Sequence, residues 1–299
     1  MTRERAPPPA APAARPVLDR LAERQLVVVT GKGGVGKTTL AALLGRLLAE
    51  RGRRVLLLEA EPRESLHQAL GTEPSDGAII PAGPRLWLQN VKAETVIEGL
   101  VAEKVPIAYL ARKIVESAAF HQFVEGAPGL KETALLGYAY RTLTHKPRFD
   151  LVLVDAPASG HGATLLAAPG LLAGAAQGGQ LGDMASELAA FLADPERCGV
   201  ALATLAEEMP VQETLELLAL LRSSLAIRPD LVVVNGIYPE PPPGPGTHWW
   251  RARRDLNEAE LARLAAAWDG PRAQLPLLAL ERGPDLVEAL GRAFQEVAP

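Results

Sequence analysis

Nine residues near the start of the chain, Gly31–Thr39 (G-K-G-G-V-G-K-T-T), restrict its fold more than any other segment. They fit the pattern G-x-x-x-x-G-K-[ST], which works only where a strand runs into a glycine loop and the loop opens a helix. Successive backbone N–H groups then turn inward around phosphate oxygens, and the helix N-terminus adds partial positive charge. The flanks supply that context. Leu26–Thr30 is a β-branched run, and Leu40–Arg51 is rich in helix formers and closed by Gly52 as a C-cap would close it. Lys37 is expected to reach the β- and γ-phosphates, and the Thr38 hydroxyl to ligate Mg²⁺. The cradle formed by Gly31, Lys32, Gly33, Gly34, Val35, Gly36, Lys37, Thr38 and Thr39 therefore implies ATP, or GTP as the alternative, bound with Mg²⁺.

The rest of the chain repeats the strand–helix alternation. Continuous apolar runs at Val55–Glu59, Leu86–Leu88, Leu151–Asp155, Val200–Thr204, Leu231–Asn235 and Leu275–Leu280 are separated by helical stretches. Such runs mark a parallel sheet covered on both faces. The expected fold is α/β, a doubly wound, mostly parallel sheet with right-handed crossovers. Two connections exceed ordinary length. Thr95–Thr142 carries helix-like spacing (Val96, Leu100, Val101; Leu110, Ile114, Val115), and Gly178–Asp194 places Leu181, Met184, Leu188 and Phe191 at three- and four-residue intervals. Together they suggest a helical subdomain inserted at about 95–145 and 170–195; plain covering helices are the alternative. Residues 1–24, rich in Ala, Pro and Arg, are expected to be a disordered tail, leaving 25–299 as the folded domain. Within that tail Met1–Pro16 lacks the apolar core of a secretory signal. Glu240–Gly246 is a proline-rich loop, and Trp249-Trp250 beyond it either dock a partner or anchor the loop to its own domain.

Composition excludes several classes. The chain has 299 residues and a formal net charge of −4, which gives no support to binding a nucleic acid. Cys198 is the single cysteine, so an intramolecular disulfide and a cysteine-rich metal cluster are ruled out, and a cytoplasmic setting fits. The five histidines (His67, His121, His145, His161, His248) show no ligand spacing. The most apolar stretch, Ala163–Ala176, is interrupted by Pro169-Gly170 and too short to span a bilayer, so no direct membrane insertion is expected.

Lys32 stands one residue inside the loop, where an ordinary phosphate loop places no particular residue. The segment closely resembles the deviant phosphate loop of the MinD/ArsA/nitrogenase-iron-protein class of ATPases. The resemblance implies that Lys32 reaches across a dimer interface to the other subunit's ATP, acting as an arginine finger does; a solvated surface lysine is the alternative. Other segments resemble the ArsA branch, which contains arsenite-pump ATPases and ATPases that target tail-anchored membrane proteins. Where that family has a D-P-A-H-S-L switch, this chain reads Glu61-Pro62-Arg63-Glu64-Ser65-Leu66. The family aspartate orients the attacking water, which makes Glu61 the candidate here, with a salt-bridged surface acid as the alternative. Its extra methylene shifts the carboxylate by roughly 1 Å, enough to matter for positioning. Glu64 replaces the family's histidine. Asp155-Ala156-Pro157-Ala158-Ser159-Gly160-His161 resembles the family's D-T-A-P-T-G-H. Asp155 is then the Walker B aspartate that holds the Mg²⁺ shell through water, unless it is a simple turn former. Gly160 would be the hinge and His161 a switch or packing residue. Asn235 resembles the family's adenine-reading asparagine, whose amide can pair with adenine N6 and N7; turn formation is the alternative. Leu278–Gly283 falls where the family covers the adenine.

The departures narrow the cargo. Arsenite-pump ATPases use three thiolates, nitrogenase iron protein two cysteines per subunit, and some tail-anchor-targeting ATPases a zinc-binding C-x-x-C; one Cys198 supplies none of these. Client grooves of the targeting ATPases are methionine-rich, whereas this chain has three methionines, of which Met184 lies in a plausible groove helix. A groove lined with Leu and Ala is the alternative. The chain is also similar to cysteine-poor bacterial ArsA-like ATPases that occur as paired subunits, notably in the second switch and in Pro210-Val211-Gln212-Glu213-Thr214. The resemblance implies an ATP-dependent dimeric switch, as a homodimer or a heterodimer with a related ATPase subunit. It would hydrolyse ATP with Mg²⁺ to drive transport or client handling, with a membrane protein or hydrophobic client as partner. The alternatives are a client-targeting chaperone for membrane proteins and a MinD- or ParA-like positioning ATPase. The last is disfavoured: Asp285–Glu296 is short and acidic, and no basic face stands out.

Overall fold

The computed structural model describes residues 16–60, 64–145, 148–157, 162–176, 179–241 and 247–297. Among them, nine strands form one sheet: β1 (Leu26–Gly31), β2 (Val55–Glu59), β3 (Ile80–Gly83), β4 (Leu86–Asn90), β5 (Leu151–Asp155), β6 (Cys198–Leu205), β7 (Leu231–Ile237), β8 (Arg272–Pro276) and β9 (Gln295–Val297). Their order is β3-β4-β2-β5-β1-β6-β7-β8-β9. The seven inner strands run parallel; β3 and β9 pair antiparallel to β4 and β8 at the two edges. The glycine loop thus leaves the middle of the sheet, and the strand order reverses on either side of β1.

The helices are α1 (Val17–Glu23), α2 (Lys37–Glu50), α3 (Leu66–Leu70), α4 (Ala93–Lys104), α5 (Ala108–Val115), α6 (Ala118–Gly126), α7 (Leu130–Thr144), α8 (Gly162–Ala176), α9 (Gly179–Ala193), α10 (Glu208–Leu225), α11 (His248–Ala267) and α12 (Pro284–Ala293). Alternate strand residues point to opposite faces. Val27, Val29, Val55, Leu57, Leu151 and Leu153 pack beneath α1, α2, α3 and α12. Val28, Leu56, Leu58, Val152, Val154, Leu202, Val232 and Val234 pack beneath α7 to α11. Central residues such as Val27 and Val28 are fully buried, which is why these strands read as unbroken apolar runs rather than as alternation.

The long connections are helical, and they share a small core of their own. Ile97 of α4, Val124 of α6, Leu130 and Ala134 of α7, Leu172 of α8 and Ala185 of α9 form a third cluster away from the sheet. Helices α7 and α9 serve both layers, with Leu136 and Phe191 directed into the sheet core. The second helical region begins earlier than the expected residue 170, because α8 starts at Gly162 and runs through Pro169. That proline forgoes one intrahelical hydrogen bond but leaves the helix intact over 15 residues.

Two expectations need correcting. Residues 17–23 are not part of a tail: they form α1, and Val17, Leu18 and Leu21 are buried against the sheet and α2. Residues 1–15 lie outside the described residues. The apolar run Leu275–Leu280 is not a strand over its length; β8 occupies Arg272–Pro276, and its outward positions are only half-buried. The two tryptophans behave differently from one another. Trp250 donates its indole N–H to the Pro239 carbonyl at 2.8 Å and packs on Tyr238, whereas Trp249 is 57% exposed. No helix among the described residues is long and apolar enough to cross a membrane.

Candidate nucleotide site at the carboxyl edge of the sheet

The geometry of the loop begins with close backbone approach. β1 ends at Gly31, where a Cβ would lie 2.3 Å from the Ala203 carbonyl oxygen of the neighbouring strand. Gly36, at φ +94°, is the N-cap of α2, and a Cβ there would meet Asn235 Nδ2 at 2.3 Å. Both contacts exclude any larger residue, and the positive φ at Gly36 lets the chain turn into the helix. Val35 is buried, while Lys32, Gly33 and Gly34 are exposed. The amide-rich rim of the loop therefore faces outward, above the start of a 14-residue helix.

Lys37 opens α2. It is only 7% exposed, and its ammonium donates to the Lys32 carbonyl at 3.1 Å. Thr38 and Thr39 follow in the first helical turn, half-buried. Asp155 ends β5 at 1% exposure, in register with Val29 of β1 on one side and Glu59 of β2 on the other. Two residues before them, Leu153 and Leu57 face α2, so strand alternation turns both carboxylates toward that same face. Among the described residues no group of three or more His, Cys, Asp or Glu side chains could hold a metal ion. A hydroxyl and a carboxylate suit Mg²⁺, a hard cation that keeps waters and takes phosphate oxygens to complete its shell. Cys198 is no competitor for metal: it is buried in β6, and burial pushes its thiol up to about 12.

Asn235 closes the loop from the other side. It sits on β7, donates from Nδ2 to the Val35 carbonyl at 3.2 Å and accepts the Gly236 N–H at 2.9 Å. Its amide thus binds the back of the phosphate loop, a structural role beyond the two readings made from sequence.

Glu59 carries no motif, and sequence reasoning passed over it. Its carboxylate is fully buried, and Oε1 accepts the Ser65 N–H (2.7 Å), the Ser65 hydroxyl (2.6 Å) and the Leu66 N–H (3.1 Å). Burial pushes this carboxyl above its usual range, against the opposing pull of those hydrogen bonds. Glu64, in the place of the family histidine, accepts the Ser75 and Asp76 N–H groups at 2.6 and 3.0 Å. Ser75 in turn accepts the Asn90 N–H at 2.7 Å. Two glutamates thus hold the chain on the far side of β2 to its neighbours. The only available signal in the sequence was polarity at the end of an apolar strand.

Lys32 makes an ion pair inside its own chain, Nζ to Glu213 Oε1 at 2.7 Å, with Glu213 in the second turn of α10. Glu61 and the segment Ala158–His161 lie outside the described residues; Ala156 is anchored through its N–H to the Val29 carbonyl at 3.0 Å. The structure thus brings Lys37, Thr38, Asp155 and Asn235 to one edge.

Comparison with known proteins adds the lineage. The family model described as anion-transporting ATPase (ArsA) matches residues 24–178 and 179–295. The chain is 33% identical to ATPase BagA of Mycobacterium tuberculosis over 207 residues, 66% of this chain and 61% of that protein. It is 29% identical over 245 residues to an arsenical pump-driving ATPase of Acidiphilium multivorum, 71% of this chain and 39% of the relative. It is 28% identical over 155 residues to an ATPase ASNA1 homolog of Entamoeba histolytica, 49% of this chain and 46% of the other. The matched regions thus cover less than two thirds of each relative's length.

Proposed function

This chain belongs to the ArsA family of anion-transporting ATPases, and on that footing we propose that it is an ATP-hydrolysing switch that works as a dimer around ATP and Mg²⁺. The observation that carries the reading is the cradle itself: two glycines whose Cβ atoms would clash, a buried Lys37, and the Asp155 carboxylate at the adjoining strand end. The loop amides and the N-terminus of α2 hold the phosphates, and Lys37 exchanges the Lys32 carbonyl for phosphate oxygen. Thr38 and Asp155 hold the Mg²⁺ shell, Asp155 through water. Held there, Mg²⁺ would supply positive charge to offset the charge that develops on phosphoryl transfer. Glu61 orients the attacking water, Asn235 turns its amide to the adenine, and Lys32 places its ammonium at the partner subunit's nucleotide. The partner is a second copy or a related ATPase subunit.

The cycle drives transport or the handling of a client. Client handling is favoured by one specific feature. Ile107, Tyr109, Leu110, Ile114 and Phe123, on and beside α5 and α6, are all at least 42% exposed, and Leu181 and Met184 of α9 add to the apolar surface of the same helical layer. Apolar residues gathered in this way mark an interaction surface. A hydrophobic segment of a membrane protein matches that chemistry. The chaperone reading therefore stands beside the transport reading, while the arsenite cargo lacks its thiolates.

The test is nucleotide-dependent assembly. With a non-hydrolysable ATP analogue and Mg²⁺, light scattering should report a dimer for wild type. Lys37→Ala should lose nucleotide binding altogether. Lys32→Ala should still bind nucleotide but lose ATP hydrolysis by about 10²–10³-fold, the scale for removing a transition-state donor. A chain that stays monomeric at every concentration with the analogue would exclude the homodimer. Capture on an immobilised Glu61→Gln variant, with ATP, would then identify a sister subunit.

A further inference from the structure

Lys32 is held at both ends within its own chain. Its ammonium pairs with Glu213 at 2.7 Å, and its carbonyl accepts the Lys37 ammonium at 3.1 Å. The Lys32 side chain is 53% exposed and that of Glu213 is 25% exposed, so the pair lies on the surface beside the phosphate loop. The turn that carries Glu213 is braced. Gln212 donates to Glu216 at 2.8 Å and is bonded by Arg263 of α11, which fixes this turn of α10.

An ammonium in contact with a carboxylate has little positive charge left to offer elsewhere. A carboxylate at 2.7 Å from Lys32 would also approach any phosphate that the lysine reached, and the two anions repel. The pairing with Glu213 and a pairing with the partner's nucleotide therefore compete. We propose that Glu213 is a latch that holds Lys32 on its own chain and restrains dimerisation until the partner's nucleotide displaces the carboxylate. Nucleotide binding loosens the latch without opening it: when Lys37 leaves the Lys32 carbonyl for phosphate, the Lys32 peptide loses one tether while the ion pair with Glu213 remains. A half-exposed ion pair is weak, so the latch biases the equilibrium rather than locking it. This inference rests on the reading of Lys32 as the residue that acts in trans.

The experiment measures the dimer dissociation constant of the 299-residue chain by sedimentation, with a non-hydrolysable ATP analogue and Mg²⁺, for wild type, Glu213→Gln, Lys32→Ala and the double variant. Glutamine keeps the size of Glu213 at a partly exposed position. Glu213→Gln is expected to tighten the dimer about 2- to 5-fold, the range of an exposed ion pair. The gain should shrink in high salt, where such pairs are screened. Lys32→Ala and the double variant should dimerise equally poorly. An unchanged or weaker dimer in Glu213→Gln, with Lys32→Ala still defective, overturns the latch and leaves the trans role of Lys32 standing. If Lys32→Ala dimerises and hydrolyses ATP as wild type does, that reading fails and the latch falls with it.

Discussion

Asp150 ties together the starts of two adjacent strands. Its carboxylate takes the Arg54 guanidinium at 2.6 Å and the Arg54 N–H at 2.8 Å, while its own N–H reaches the Arg54 carbonyl at 2.8 Å. The hydrogen bond from the Arg54 side chain is the main reason its carboxyl is held at about 2, below the ordinary 3.8. The sign follows directly. A depressed carboxyl adds stability that is fully present above its unfolded value and is lost as pH falls toward the folded one. Asp150→Asn should therefore lower Tm at pH 7 by a few degrees at most, about 1–3 °C, since Arg54 is well exposed. Wild type and variant should converge as pH drops from about 4 to about 2, measured by thermal melts across that window. A gap that persists unchanged at pH 2 would mean the carboxylate's charge contributes nothing. Glu59 shows the opposite balance at the other end of β2. There burial outweighs three hydrogen bonds and the carboxyl is raised, beside Asp155 at the edge where phosphate chemistry is expected.

Among the elements, α1 is the one whose burial was hardest to foresee. Seven residues after a proline-rich stretch look like an extension of it, yet Leu21 is fully buried and Leu18 is 4% exposed. Long-range bonds pin the helix: the Val17 N–H reaches Glu296 of β9 at 2.9 Å, and Arg51, the C-cap of α2, reaches Asp19 at 2.9 Å. Leu21→Ala should cost about 2–5 kcal/mol, the range for truncating a buried leucine, read as a lower midpoint in urea. A loss under about 0.5 kcal/mol, typical of surface positions, would show that α1 is dispensable. The inner strands were legible because they are buried on both faces, so that Val27 to Val29 or Leu56 to Leu58 read as unbroken apolar runs. The edges were not, for the same physical reason in reverse. β3 contains Pro81 and half-exposed positions, β9 is Gln295-Glu296-Val297, and β8 alternates, so none presents an apolar run. At the candidate site, Lys37 and Thr38 stood out in the sequence because the loop pattern has fixed spacing, and Asp155 because its segment resembles the family's second switch. Glu59 and the Glu213 contact did not, because they depend on strand register and on a helix far away in sequence.

At the scale of the whole molecule, the nucleotide edge and the helical layer are joined by two short paths. β5 ends at Asp155, and the next described element is α8, whose Gly162 packs so closely on Thr30 of β1 that a Cβ would lie 2.0 Å from its hydroxyl. β4 ends at Asn90, beside Glu59, and α4 begins at Ala93. Any shift of these strand ends reaches α8 and α4 within a few residues. Both helices contribute to the small third cluster, through Leu172 and Ile97. That cluster has far fewer buried side chains than either sheet core, so its helices should open at lower free energy than the central strands. Binding at the edge then has a compliant element to move, and the exposed Ile114 and Phe123 ride on it. Hydrogen exchange with a non-hydrolysable ATP analogue and Mg²⁺ should therefore change protection in α4, α5, α6 and α8 as well as around the phosphate loop, while β1, β2 and β6 stay protected in either condition. In parallel, Ile114→Ser with Phe123→Ser should leave ATP affinity and melting temperature near wild type, because both side chains are exposed. The same pair should weaken capture of a hydrophobic helical peptide by about tenfold or more, since two apolar contacts at roughly 1 kcal/mol each are removed. Exchange changes confined to the phosphate loop, with peptide capture unaffected by the pair, would separate the nucleotide edge from the helical layer and remove client handling from the reading of this fold.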